Sequence, residues 1–175
     1  KSGASISLGK DTLQFVEQPD GSYTPPANCT FTLTKGGGAY CLKERHGRTF
    51  SFDTSNRLAS IVAPYSGVSL SLAYNASNWV STVRDWKGRT LTFTYTGTPA
   101  QLTSVSDGTR TVNYGYSTAY SPQGDLVSFT DPEGKTTTYA YDTNHQITAT
   151  FDALSRLVVS NIYDPQGHVA TQYTQ

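Results

Sequence analysis

The 175-residue chain contains no methionine, only two cysteines and few charged residues. Charged residues make up 15% of it, and 13 Lys and Arg balance 13 Asp and Glu, so the formal net charge is zero. A nucleic-acid-binding surface needs an excess of basic residues, so this balance argues against a nucleic-acid partner. Because the chain lacks methionine and begins at Lys1, we expect a processed product or an excised fragment.

Long apolar runs are also missing. No stretch reaches the roughly 18 consecutive apolar residues that a membrane-spanning helix requires, so no membrane span is predicted. A charged start followed by an apolar stretch and a small-residue cleavage site, typical of a signal peptide, is absent as well.

Recognisable catalytic patterns are absent. The sequence has no G-x-S-x-G, H-E-x-x-H or P-loop motif. Its three histidines, His46, His145 and His168, fall at or beside turns in three different segments. A catalytic triad would need a histidine joined to a nucleophile and a carboxylate, and nothing in the sequence selects such a set. No catalytic residue and no cofactor are therefore predicted.

The two cysteines, Cys29 and Cys41, flank the segment TFTLTKGGGAY. Alternation around its glycines predicts a hairpin that pairs Thr30–Thr34 with Ala39–Leu42. This arrangement is compatible with a disulfide and equally with two small buried thiols. A closed structural zinc site normally needs four ligands, and the Asp-containing turns hold too few oxygen ligands for a calcium loop. No metal site is predicted.

What the chain does contain is a repeat. Six consecutive segments share an aromatic residue and, a few positions later, an aliphatic residue. Successive aromatic residues are 21 to 25 positions apart; they are Phe52, Tyr74, Tyr95, Tyr116, Tyr141 and Tyr163. The aliphatic residues are Leu58, Val80, Leu102, Leu126, Ile147 and Val169. A regular period in six copies is typical of a repeat architecture.

Each repeat is predicted to form a β-hairpin. In RTLTFTY, Leu91, Phe93 and Tyr95 alternate with threonines, which predicts a strand with one apolar face. The second half of each repeat places apolar residues at i and i+3, which indicates a bulge or a strand that begins one residue late. No segment has a helical period long enough to compete.

The connections share an Asx-x-x-Gly/Asn pattern. An Asp or Asn in the first position accepts backbone hydrogen bonds, and Gly or Asn in the fourth tolerates a positive φ. Three of these turns begin at Asp53, Asn75 and Asp142. Three others combine a first-position Asp with a fourth-position glycine: Asp85 with Gly88, Asp131 with Gly134, and Asp164 with Gly167. Within YDTNHQI, Tyr141 ends a strand, Asp142 caps the reversal and Ile147 begins the return. His145 lies in the bend, and no role is predicted for it.

The predicted fold class is all-β, an array of antiparallel hairpins of about 21 to 22 residues each. Twelve strands are more than an open twisted sheet usually carries, so we expect a curled sheet or partial spiral with the aromatic face inside. Residues 1–42 do not follow the period and are predicted to be an atypical β segment that caps the array. Residues 43–175 are predicted to hold six hairpins in one continuous domain.

These units resemble Rhs, or YD, repeats. The resemblance is carried by RDWKGRTLTFTY from Arg84, TDPEGKTTTYAYD from Thr130 and IYDPQGHV from Ile162, and it covers residues 40 to 175. It departs from the family pattern where Tyr74, Tyr95 and Tyr116 are not followed by Asp. In long members, which include polymorphic toxins, toxin-complex cocoons and teneurin-like proteins, such repeats wind into a hollow β-shell. In the toxins the shell encloses a C-terminal effector.

The resemblance implies a secreted or cell-surface bacterial protein whose partner is the remainder of its own parent chain. The predicted function is a non-enzymatic structural module, part of a β-shell or scaffold that encloses or displays a C-terminal effector. The alternative is a carbohydrate- or protein-binding module that uses exposed aromatic side chains. Trp79 and Trp86, which do not follow the period, are the candidate ligand contacts, whereas the periodic tyrosines are expected to stack within the sheet.

Overall fold

The computed structural model describes residues 3–120 and 124–175. Its regular elements are all β-strands, and no helix occurs in these two ranges. The predicted all-β class is therefore confirmed. No described segment forms an apolar helix long enough to cross a membrane. The chain divides into two compact units, residues 1–90 and residues 91–175.

The first unit contains two antiparallel sheets. The smaller sheet has the order β1-β2-β3, with strands β1 (Gly3–Leu8), β2 (Asp11–Glu17) and β3 (Tyr23–Thr24). The other strands are paired in sequence order: β4 (Thr32–Gly36), β5 (Ala39–Lys43), β6 (Thr49–Phe52), β7 (Leu58–Val62), β8 (Ser69–Tyr74) and β9 (Val80–Asp85). The predicted Cys-flanked hairpin corresponds to β4 and β5, but its first strand begins at Thr32 and not at Thr30.

The buried core of the first unit joins these two sheets. Ile6, Phe15 and Tyr23 come from β1–β3, and they pack against three residues of the other sheet. Those three are consecutive cross-strand partners, Leu33 opposite Leu42 and Leu42 opposite Phe50. The strands before β4 thus cover the start of the hairpin array. The predicted domain boundary between residues 42 and 43 stays a prediction.

The second unit continues the hairpin pattern. Its strands are β10 (Thr90–Thr96), β11 (Gln101–Ser106), β12 (Thr111–Ser117), β13 (Asp125–Thr130), β14 (Thr136–Tyr141), β15 (Ile147–Phe151), β16 (Leu157–Tyr163) and β17 (Val169–Thr174). Each pairs antiparallel with the next. Strands β6 to β17 are therefore the two halves of the six predicted repeats. The predicted curling of the array stays a prediction.

Every repeat carries a β-bulge at the same place, where the register shifts just before the repeat aromatic residue. In the first repeat Ser51 pairs with Ser60, but Phe52 pairs with Leu58, so Ala59 is left as the extra residue. The other aromatic–aliphatic pairs that follow such a shift are Tyr74–Val80, Tyr95–Leu102, Tyr116–Leu126, Tyr141–Ile147 and Tyr163–Val169. The bulge explains why apolar residues stand at i and i+3 in the second strand, because one extra residue shifts the alternation.

The two faces of the sheet differ in chemistry. In the second unit Phe93 is opposite Val105, and Val105 is opposite Val112, so one face is apolar. The other face carries a row of hydroxyls and amides in which Thr94, Ser104, Asn113 and Thr130 are successive partners.

The apolar face of the repeats is only half-buried. All six buried hydrophobic residues lie at or before Phe50, and no described residue after Phe50 is buried. The described repeats thus present an apolar face that the chain itself does not fully cover.

Candidate functional site

The recurring site of this chain is the turn that begins with Asp or Asn. In the first copy, the amide of Asp53 donates to the carbonyl of Arg57 at 2.8 Å, and the amide of Asn56 donates to the carbonyl of Asp53 at 3.0 Å. The Oδ1 atom of Asp53 accepts the amides of Ser55 and Arg57, each at 2.9 Å. The carboxylate therefore satisfies two amides that the tight turn would otherwise leave without a partner.

Seven turns in the described part of the chain share this geometry. Their first residues are Asp53, Asn75, Asp85, Asp131, Asp142, Asp152 and Asp164, and each Oδ1 accepts two backbone amides. The fourth residue always has a positive φ; these residues are Asn56, Asn78, Gly88, Gly134, His145, Ser155 and Gly167. The same reversal thus tolerates four residue types in its fourth position.

The fifth residue of several turns closes an ion pair with the first. Arg57, Arg89 and Arg156 bring a guanidinium nitrogen within 2.8, 2.6 and 2.6 Å of Oδ2 of their own turn aspartate. The backbone amide of Arg57, helped by its guanidinium, lowers the pKa of Asp53 against the opposing effect of desolvation. At Asp107, the amides and guanidinium of the following turn lower the carboxyl pKa to about 2.

These lowered pKa values predict acid sensitivity. A carboxyl whose pKa is lower in the folded state contributes stability above its unfolded pKa and loses that contribution as pH falls through its folded pKa. Because Asp53, Asp107 and Asp152 all shift downward, the melting temperature is expected to fall from about pH 4 towards pH 2. Thermal melts followed by circular dichroism at graded pH measure this.

An Asp53→Asn variant is the control for the acid prediction. Asn75 already performs the same turn with an amide oxygen, so the variant keeps the turn while removing one titrating carboxyl. Its melting temperature should fall less steeply below pH 4 than that of the parent chain. Equal slopes for both proteins would show that this carboxyl does not drive the acid transition.

The repeat tyrosines connect neighbouring hairpins. The hydroxyl of Tyr74 donates to the carbonyl of Leu58 at 2.8 Å, and Leu58 is the aliphatic residue that follows the turn of the preceding repeat. The same bond joins Tyr116 to Leu102, Tyr141 to Leu126 and Tyr163 to Ile147, at 2.8 to 3.0 Å. Desolvation raises the pKa of Tyr74, Tyr116 and Tyr141. The tyrosine of one repeat is thus a hydrogen-bonded link to the repeat before it.

A Tyr141→Phe substitution tests this link. It removes the hydroxyl but keeps the ring, so the carbonyl of Leu126 loses a donor in a half-buried position. We expect a loss of about 1 kcal/mol in the free energy of unfolding, measured by urea denaturation. Tyr173→Phe, which removes the hydroxyl of an exposed ring, is the matched control and should be nearly neutral. A loss of equal size in both variants would contradict the link.

Neighbouring turns also touch through their side chains. The fifth residue of one turn meets the fourth residue of the corresponding turn in the following repeat. Arg57 Nη1 donates to Oδ1 of Asn78 at 2.6 Å, and Gln146 Nε2 donates to the carbonyl of Gly167 at 3.3 Å. His145 extends this pattern, since its Nδ1 lies 3.0 and 3.1 Å from the two carboxylate oxygens of Asp125. These contacts are about one repeat apart in sequence and tie successive turns together.

His145 therefore has a contact that the sequence did not predict. The imidazole was expected to be without a role, whereas it pairs with Asp125 and occupies the positive-φ position of its turn. Asp125 is the first residue of β13 and directly precedes Leu126, a position that the repeat pattern did not single out. The sequence signal for such pairs is their spacing: the two residues stand about 21 positions apart, one at the fifth position of a turn and the other at the fourth position of the corresponding turn one repeat later.

The two tryptophans do not form one site. Trp79 precedes β9 and Trp86 follows it, so they lie at opposite ends of this strand. At a rise of about 3.3 Å per residue, their backbones are roughly 20 Å apart. Both side chains are about half exposed, at 48% and 54%.

The two cysteines carry free thiols in the structure. Cys29 lies before β4, and Cys41 lies within β5 opposite Thr34. The structure therefore does not contain the disulfide between Cys29 and Cys41, which was one of the two alternatives that the sequence allowed.

No metal-binding cluster is formed by the described residues. Within residues 3–120 and 124–175, no group of three or more His, Cys, Asp or Glu side chains could hold a metal ion. Nδ1 of His168 lies 3.1 Å from Oδ2 of its own turn aspartate, Asp164. The repeated turns are thus structural in geometry, and each carboxylate is engaged with the backbone.

Comparison with known proteins identifies the repeat. Residues 120–154 match the model of the RHS Repeat family. This match covers one part of the array, and it confirms the predicted resemblance to the Rhs/YD-repeat family. No curated protein sequence matches the chain.

Two solved structures are similar to the chain at low identity. One is a crystal structure of TcdB2-TccC3-TEV, with 13% identity and a TM-score of 0.41 over 94% of this chain. The other is the Tc holotoxin pore of Photorhabdus luminescens with a mutated TccC3, with 10% identity and a TM-score of 0.36 over 90% of this chain. The chain spans 12% of the length of each of those chains. Both likenesses are too weak to support a functional assignment.

Proposed function

We propose that the chain is a non-enzymatic structural module, part of a β-shell or scaffold in a larger bacterial Rhs/YD-repeat protein. The observation that carries this proposal is the half-buried apolar face of the repeats. Strands β10 to β17 align side chains such as Phe93, Tyr114 and Phe129 on one face, and no described residue after Phe50 is buried. An apolar face of this extent is stabilised when something covers it.

The covering partner in this proposal is the remainder of the parent chain. Further repeats would continue the sheet, and a C-terminal effector would lie against the apolar face or behind it. The RHS repeat at residues 120–154 supports this arrangement, because the family resemblance implies a shell around an effector. Secretion, or display on the bacterial surface, is proposed on the same ground.

The chemistry of the turns supports a structural rather than a catalytic role. The aspartates that begin the repeated turns accept two backbone amides each, and Asp53, Asp85 and Asp152 also pair with arginine. A general acid needs a raised pKa, whereas the pKa values of Asp53, Asp85 and Asp152 are lowered. A reproducible hydrolase activity, lost in one Asp variant that still folds, would contradict the proposal.

Limited proteolysis of the full-length protein tests the enclosure directly. In the intact protein, segments C-terminal to the array should resist a protease that cleaves unfolded chains. A variant that opens the array, Gly134→Val combined with Tyr141→Phe, should make those segments cleavable at least several-fold faster. The control is Gly134→Asn, which keeps a residue type found at that turn position in Asn56 and Asn78. Rapid cleavage in the intact protein would overturn the proposal.

A carbohydrate- or protein-binding module remains the second candidate, and the exposure of Trp79 and Trp86 favours it. Because β9 separates these rings, each would form a contact of its own. A glycan array with Trp79→Ala and Trp86→Ala variants tests this candidate. It gains support when a signal exists and falls in one variant, and it fails when no glycan binds or both variants bind unchanged.

A further inference from the structure

Neighbouring repeats are joined by a recurring contact between their turns. The residue directly before the repeat aliphatic residue reaches the residue two positions before the aliphatic residue of the following repeat, and we call each such contact a rung. Three rungs are Arg57 to Asn78, Gln101 to Gly124 and Gln146 to Gly167. The first and third are hydrogen bonds of 2.6 and 3.3 Å. In the second, a Cβ added at Gly124 would lie 2.6 Å from Nε2 of Gln101.

The contact between Asp125 and His145 is a further rung of the same kind. Asp125 directly precedes Leu126, and His145 stands two positions before Ile147. Nδ1 of His145 lies 3.1 Å from Oδ1 and 3.0 Å from Oδ2 of Asp125. The other three rungs use guanidinium, amide and backbone groups, which keep their charge between pH 4 and 8. The rung between Asp125 and His145 is made of two side chains that both titrate.

The environment of this rung makes its charge matter. The side chain of Asp125 is only 13% exposed, whereas that of His145 is 43% exposed. Among the described residues, His145 is the single ion-pair partner of Asp125. Because the carboxylate is largely removed from water, its attraction to a cation is screened less than that of a surface pair.

The groups around Asp125 leave it as the negative partner. Burial, and then the charge of Asp125, raise the pKa of Tyr141, so this phenol is neutral below pH 8. Ser117, which is opposite Asp125 on β12, does not titrate. The charge of this carboxylate is therefore balanced only through the imidazole of the following repeat.

The groups around His145 do not compete for the imidazole. In its own turn, Asp142 uses Oδ1 to accept the amides of Asn144 and Gln146. In the turn of the following repeat, Asp164 and His168 pair with each other at 3.1 Å. That second pair lies within one turn and is more exposed, at 32% and 78%, so it links no repeats.

We propose that the Asp125–His145 rung is a pH-sensitive joint, which holds the fourth and fifth repeats together more tightly at mildly acidic than at neutral pH. Histidine gains its charge between pH 8 and 5. The imidazolium then donates a charge-assisted hydrogen bond to the carboxylate, which is roughly twice as strong as a neutral one. The contribution grows as pH falls through this range and is lost again when the carboxylate takes up a proton near pH 4. This inference is independent of the shell proposed above.

Hydrogen exchange of the chain at pH 7.5 and pH 5.5 tests the joint. The measured quantity is the protection of amides in β13 to β15, taken relative to the intrinsic exchange rate at each pH. Protection is expected to be about two- to fivefold higher at pH 5.5, the effect of one partly exposed ion pair. Both pH values lie above the range in which the turn aspartates titrate.

Three variants assign the effect to this rung. His145→Asn removes the titrating group and keeps a residue type found at the same turn position in Asn56 and Asn78. Asp125→Asn removes the carboxylate. Both variants should lose the rise in protection at pH 5.5. His168→Asn removes the other titrating histidine of the second unit and is the matched control, which should keep the rise.

Salt supplies an independent readout, because a merely structural contact would not respond to it. In 0.5 M NaCl the rise in protection of the parent chain should shrink, since ions screen a partly exposed pair. The inference is overturned if protection in the parent chain is equal at the two pH values or lower at pH 5.5. It is overturned as well if His145→Asn or Asp125→Asn keeps the rise, or if His168→Asn abolishes it.

Discussion

Replacing Leu42 with alanine is expected to lower the free energy of unfolding of the first unit by about 2–5 kcal/mol, the usual cost of truncating a fully buried leucine. Leu42 has no exposed surface. It lies on β5 between Leu33 and Phe50 and belongs to the same buried cluster as Phe15, so the cavity left by its side chain would open within the core.

The measurement must report on the first unit alone. Hydrogen exchange of amides in residues 3–90 under increasing denaturant does this, because it follows the opening of named strands. The matched control is Leu154→Ala, which truncates a leucine that is 72% exposed and should change stability by no more than about 0.5 kcal/mol. Similar losses in the two variants would contradict the assignment of the core.

Replacing Gly134 with valine is expected to cost about 2 kcal/mol through the backbone alone, because a β-branched residue is strongly disfavoured in the left-handed region. Gly134 has a φ of +80°, and a Cβ at this position would meet no atom within 4 Å. The added Cβ therefore meets no steric overlap with the rest of the chain, and the substitution tests mainly the conformational requirement of the repeated turn.

Asparagine at the same position is the matched control. Asn56 and Asn78 hold the equivalent place at φ of 63° and 65°, so Gly134→Asn should cost less than about 0.5 kcal/mol. Urea denaturation followed through the second unit measures both variants. If valine were tolerated as well as asparagine, the turn at Asp131 would not have the geometry described here.

The repeat and its strands could be predicted because their signals are local. Three signals can each be read within a single repeat: the aromatic residue such as Tyr141, the i, i+3 spacing that marks the bulge, and the Asx-x-x-Gly turn. The structure bears out the all-β class and the pairing of β6 to β17 as six hairpins. Ser155, which departs from the glycine of the pattern, still adopts the same turn at φ of 59°, because the first-position carboxylate and not the fourth residue supplies most of the hydrogen bonds.

The contacts between repeats were not predicted from the sequence. The Tyr141–Leu126 bond and the His145–Asp125 pair join residues 15 and 20 positions apart, and their geometry depends on how consecutive hairpins are displaced by the bulges. The two tryptophans were considered together because they are close in sequence, although a strand of extended backbone separates them.

Oxidative footprinting tests the central claim most directly, by comparing the isolated chain with the full-length protein. The claim is that the apolar face of the repeats is covered in the parent protein. We predict that hydroxyl-radical modification of Tyr114, Phe129 and Tyr139, which are half-exposed here, falls several-fold in the full-length protein. Modification of Trp86, at a turn, should stay the same. Equal modification of the three apolar-face residues in both proteins would contradict a shell-forming role.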